Sequence, residues 1–164
     1  MITDPYEQDR LALAKAVALL AAGGLLAAAF AFQYWGGLYP CEMCWWQRYA
    51  HIAALAFVLL ALLAGGGRAL VWLAALAIAA SGAIGAYHAG VELGWFEGFT
   101  QCSWTAAGGS TEDLLKAIMA APMVRCDEIQ WSWLGLSMAG WNAILSLLAA
   151  LVILWLSLKR PRQA

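Results

Sequence analysis

Two pairs of cysteines carry the chemistry this sequence could perform. Cys41 and Cys44 form a C-x-x-C in the segment Pro40-Cys41-Glu42-Met43-Cys44-Trp45-Trp46-Gln47-Arg48, which ends where a long apolar stretch begins. That places the pair at a helix N-terminus, where unpaired backbone N–H groups and the macrodipole favour an anion; the expectation is a stabilised thiolate and a lowered thiol pKa. Pro40, which has no N–H to donate, suits the entry to such a turn. Arg48 follows Cys44 by four residues, one helical turn along the same face. A permanent cation there favours a thiolate at Cys44 and could hold the oxygen of a bound electron acceptor as it gains negative charge. The plainer alternative is an arginine that snorkels to lipid phosphate.

The second pair, Cys102 and Cys126, is widely spaced in a long polar loop. Alone, such a spacing reads as a structural staple worth about 2 to 4 kcal/mol. A C-x-x-C in the same compartment points instead to thiol–disulfide exchange between the pairs. Metal ligation is disfavoured and none is expected, because zinc and iron–sulfur sites prefer a second close-spaced pair. His88 and Glu92, four residues apart, share a face if their helix continues that far, and could relay protons. A helix end wetted by solvent would account for them equally.

These residues need elements to hold them, and the composition says which. The 164-residue chain is 64% hydrophobic and only 12% charged, against a charged fraction of about 25% in ordinary soluble domains. Apolar stretches at about 11–32, 49–64, 69–87 and 141–158 are long enough to cross a bilayer as helices. They are apolar all round, which argues against a bundle in water. The first stretch exceeds the apolar core of a signal peptide and follows acidic residues, so it is expected to stay in the mature protein. The fold expected is an all-α membrane protein: one domain over 1–164, a bundle of four transmembrane helices. Its outward loops span about 33–48 and 88–140.

With four spans both termini share a side. Arg10, Lys15, Arg68, Lys159, Arg160 and Arg162 fall there, against Arg48, Lys116 and Arg125 opposite. Lys and Arg accumulate on the cytoplasmic side, so both termini are expected in the cytoplasm and all the cysteines outside it. Extracytoplasmic compartments permit disulfides, and that agrees. Within the long loop, Thr111 to Ala121 has the caps and apolar face of a short interfacial helix ended by Pro122. Packing against the spans is the alternative. Gly82, Ala86 and Gly90 form a small-xxx-small row that favours close helix packing.

The order of these features resembles the disulfide bond formation protein B (DsbB) family, the quinone-coupled thiol oxidases of the bacterial inner membrane. The resemblance rests on four spans, the block Pro40 to Arg48, a loop cysteine pair before the last span, and the stretch Trp133-Leu134-Gly135-Leu136-Ser137-Met138-Ala139-Gly140-Trp141-Asn142. The resemblance implies that Cys102 is attacked by a reduced DsbA-like thioredoxin-fold partner. Cys126 then exchanges with Cys41, and Cys44 faces a quinone, ubiquinone or menaquinone. Arg48 matches the family's quinone-site arginine, and His88 falls near its histidine. Glu92 is added on spacing alone. The vitamin K epoxide reductase group also combines spans with two cysteine pairs, but in the reverse order. A membrane scaffold or transport subunit whose cysteines are staples is the non-enzymatic alternative.

Overall fold

The computed structural model describes residues 5–63, 67–98, 110, 112 and 124–158. Helix α1 spans Pro5–Tyr34, α2 Glu42–Leu63, α3 Arg68–Glu92 and α4 Met138–Ser157. All four are long and apolar enough to cross a membrane. They overrun the apolar stretches expected from the sequence, because a helix continues into its polar flanks where hydropathy no longer marks it. Those flanks matter: Glu42 to Arg48 form the start of α2, and His88 to Glu92 the end of α3. Cys102 and nearly all of the expected interfacial helix, Thr111 to Ala121, lie outside the described residues.

The packing follows membrane rules rather than aqueous ones. The core seams are made of small residues, among them Ala14, Ala18 and Ala22 of α1 and Ala74 and Ala75 of α3. Large apolar side chains point outward, with Leu63 86% and Leu20 74% exposed. Lipid is as apolar as leucine, so helices gain little by burying bulk and associate through close contact of small residues. That inversion disposes of the aqueous bundle.

Helix α3 packs closely on α2 and α4, while α1 lies against α2 and α4. The tightest approach is at Gly82 and Gly85. A Cβ at Gly85 would sit 3.0 Å from the Ala139 carbonyl oxygen and 3.0 Å from Asn142 Nδ2; one at Gly82 would sit 2.9 Å from Leu147. The expected row Gly82-Ala86-Gly90 is corrected here. Ala86 is exposed, and Gly90 meets Phe96 of the segment after its own helix. A four-residue step overshoots a 3.6-residue turn, so the contact follows Gly82 to Gly85 instead. Gly85→Val is expected to destabilise the bundle by about 1 to 3 kcal/mol, read as a lower thermal midpoint in detergent. Ala86→Val should leave the midpoint in place.

At the end of the bundle away from Cys41, cations tie the helices together. Lys15 Nζ donates to the Ala61 carbonyl at 2.9 Å, Arg10 Nη2 to the Trp155 carbonyl at 2.5 Å, and Arg68 pairs with Glu7 at 2.5 Å. Lysine and arginine at the carbonyl ends of α2 and α4 complement the helix dipoles.

Among the described residues, one element departs from an all-α description. Strands β1, Ser132–Trp133, and β2, Leu136–Ser137, form an antiparallel hairpin in which Trp133 pairs with Leu136. Its two turn residues, Leu134 and Gly135, have φ of 52° and 78°, the signature of a type I′ turn. Ser137 closes the hairpin and caps α4, its hydroxyl accepting from Gly140 N at 3.2 Å.

Candidate redox centre

Cys41 stands immediately before α2 and serves as its cap. Its Sγ accepts from the Cys44 backbone N–H at 3.3 Å, and the two sulfurs lie 2.9 Å apart as thiols. The helix-terminus expectation is corrected for Cys41. Hydrogen bonds to Cys126 and Cys44, together with burial, push its thiol well above the ordinary range and outweigh the backbone N–H that favours the anion. Cys41 is the middle sulfur of three.

Cys126 arrives from the loop. From Val124 to Asp127 the side chains alternate, so Val124 and Cys126 pack against Cys41, Met43 and Val91 while Arg125 and Asp127 face outward. Arg125 donates to both carboxylate oxygens of Asp127, at 2.9 and 2.5 Å, and holds that carboxyl below its usual range. The donor atoms of Cys41, His88 and Cys126 all lie within 4.8 Å of one another. These are soft-metal donor types brought together by the fold, which residue spacing did not foreshadow.

Helix α3 reaches far enough for His88 and Glu92 to share a face. His88 Nε2 is 3.6 Å from Cys41 Sγ and 3.8 Å from Glu92 Oε1. Their side chains are only 5% and 6% exposed, which removes the solvent-wetted reading. Glu92 Oε2 is buried without a hydrogen bond.

Arg48 turns inward. It donates to Gln33 Oε1 and, at 3.1 Å, to the Ala29 carbonyl of α1. The guanidinium lies between two rings, 4.8 Å from the Phe30 centroid and 4.9 Å from that of Trp45. At 6% exposure it does not snorkel. Its Nε is buried with no acceptor.

The family model described as disulfide bond formation protein DsbB matches residues 11–156. The chain belongs to the DsbB family. It is 33% identical over 153 residues to the disulfide bond formation protein B of Marinobacter nauticus, covering 86% of this chain and 88% of that protein. To the protein of the same name from Paracidovorax citrulli it is 34% identical over 160 residues, covering 92% and 90%. No solved structure gives a significant match. Family membership makes the chain a disulfide bond formation protein of the membrane, with the four-helix architecture described above.

In this DsbB-family chain a cavity of about 380 Å³ gathers the centre. Leu25, Phe32 and Leu145 supply apolar wall, and Cys41, Cys44, Arg48, His51, His88 and Glu92 all border it. Every site residue expected from the sequence is therefore on this cavity or beside it, except Cys102, which is not described. Sequence reasoning passed over the polar residues in and behind the wall: Gln47 on the cavity, Ser81 and Ser146 behind it, and the roles of His51 and Asn142. Asn142 Nδ2 donates to Gln47 Oε1 at 2.8 Å, and His51 Nε2 lies 3.0 Å from both Asn142 Oδ1 and Ser81 Oγ. A usable signal existed: uncharged polar residues interrupt apolar spans at helical spacing, Gln47 with His51 and Asn142 with Ser146. Polar groups in hydrocarbon must find partners, and partners cluster.

Proposed function

We propose that the chain is a thiol oxidase that reoxidises a soluble DsbA-like thioredoxin-fold dithiol and delivers the electrons to a membrane quinone. The observation that carries this is the position of Cys41, whose sulfur touches Cys44 within the helix and Cys126 from the loop. A dithiol partner attacks the Cys102–Cys126 disulfide; its first sulfur forms a mixed disulfide, and the displaced loop sulfur leaves with the bonding pair. Cys126 as a thiolate then attacks the Cys41–Cys44 disulfide at Cys41, and Cys44 departs as the new thiolate. Each exchange forms one S–S bond and breaks one, so the electron pair moves inward from the loop to the helix.

The cavity wall fits a quinone head group of ubiquinone or menaquinone type. Two buried nitrogens without partners, Arg48 Nε and His51 Nδ1, belong to residues that border a mainly apolar space beside Cys44. When bound, a quinone supplies a two-electron, two-proton sink. Arg48 would hold an oxygen of that group through charge-assisted hydrogen bonds, and His88 with Glu92 would hold protons at Nε2 and the carboxylate. The orientation proposed puts the cysteine end in the periplasm and the Arg10, Lys15 and Arg68 end in the cytoplasm. The whole chain acts as one unit in the bacterial inner membrane.

The test is purified protein mixed with a reduced thioredoxin-fold oxidase and a soluble quinone analogue, followed by quinone absorbance. Cysteine-dependent loss of oxidised quinone is expected. A membrane scaffold with structural disulfides predicts none, and that result would overturn the proposal.

A further inference from the structure

The polarity of the buried amide network can be worked out from two carbonyl groups. A backbone carbonyl only accepts, so the Asn142 atom 3.2 Å from the Ser81 oxygen is the amide nitrogen. Likewise, the Gln47 atom 3.2 Å from the Met43 oxygen is its amide nitrogen. The two assignments agree with each other, because Asn142 Nδ2 then donates to Gln47 Oε1 at 2.8 Å. The second proton of Gln47 Nε2 points at His88 Nδ1, 3.1 Å away. Nδ1 must therefore accept, and a neutral ring then carries its proton on Nε2. That is the nitrogen 3.6 Å from Cys41 Sγ and 3.8 Å from Glu92 Oε1, and the ring also donates to the Cys126 backbone carbonyl, which accepts from the same side of the site.

We propose that Gln47 and Asn142 are positioning residues that lock His88 in its Nε2–H tautomer, so that a donor and not a lone pair faces Cys41. The proposal rests on the redox reading for its purpose. When a disulfide involving Cys41 is opened by attack on its other sulfur, Cys41 leaves with the bonding pair as a thiolate. Nε2–H is the donor that meets this charge, whereas the other tautomer would present a lone pair to it. The same logic extends to His51. Ser81 Oγ gives its proton to the Gln47 carbonyl at 3.1 Å, so both oxygens facing His51 Nε2 are acceptors and that ring is also protonated on Nε2.

The chain has only two histidines, which makes the lock directly visible. Full-length protein labelled with ¹⁵N-histidine is examined by long-range ¹H–¹⁵N correlation, with His88 assigned from the signals lost in His88→Gln. A lone-pair shift at Nδ1 and a protonated shift at Nε2 are expected for His88. In Gln47→Met, and in Asn142→Leu, the two shifts should move toward each other. Opening of a Cys41–Cys126 disulfide by added dithiol should slow about tenfold, as for loss of a hydrogen bond to a charged group. A purely structural role would lower the thermal midpoint but leave the tautomer on Nε2. Protonated Nδ1 in the wild type, or unchanged shifts in Gln47→Met, would overturn the lock, and the wild-type measurement stands even if a variant fails to fold. The expected spectra from a protein that oxidises no dithiol would support the lock and sink the redox reading instead.

Discussion

Cys44→Ser protein, isolated without reductant, is expected to accumulate a Cys41–Cys126 disulfide and to reduce quinone at least about a thousandfold more slowly than wild type. The reason is geometric. Cys41 Sγ has Cys44 Sγ 2.9 Å away on one side and Cys126 within 4.8 Å on the other. Removing one sulfur neighbour leaves the other as the available disulfide partner. Cys41→Ser should be equally inactive for a different reason: it removes the middle sulfur, and Cys44 loses its connection to the loop. Peptide mapping by mass spectrometry distinguishes the two variants, because only the first carries the crosslink. Wild-type quinone reduction by Cys44→Ser protein would remove Cys44 from the electron path.

For Arg48→Met, the apparent KM for a quinone analogue is expected to rise about ten- to hundredfold, the loss of one or two hydrogen bonds from a charged donor. Exchange between a reduced partner and the loop disulfide, measured in a single turnover without quinone, should proceed at the wild-type rate. That split separates a binding role from general damage. Arg48→Lys is not expected to rescue fully, since an ammonium lacks the planar fork that reaches both Gln33 and Ala29. Equal quinone kinetics in wild type and Arg48→Met would take Arg48 out of the site.

The legible parts of this protein were those fixed by local chemistry. Four spans follow from apolar length, and the Cys41 cap and the Cys44-to-Arg48 turn follow from sequence neighbours. What depended on distant neighbours was not legible. The Cys41 thiol packs against Cys126, which arrives from a loop far along the chain. Gln47 and Asn142 are far apart in the chain, and they meet in a bond that Ser81 of α3 flanks by bonding to both residues. The hairpin was obscured because Leu134, an apolar residue in a stretch read as leading into a span, occupies a left-handed conformation that ordinarily marks glycine or asparagine. Gly135 beside it was the only local hint.

The alanine seam of α1 has a mechanical meaning. Its buried residues are Ala14, Ala18 and Ala22, and none follows in the remaining turns to Tyr34. Close small-residue packing thus holds the helix up to Ala22, where Lys15 and Arg10 also strap it. Its remaining half carries Leu25 and Phe32 on the cavity, with the Phe32 ring 4.8 Å from that of Trp131. The polar tether on that half is Arg48, through Gln33 and the Ala29 carbonyl. An oxygen received at Arg48 Nε would therefore sit on the same guanidinium whose other two nitrogens hold this end of α1, so one side chain would serve both the space beside Cys44 and the helix end.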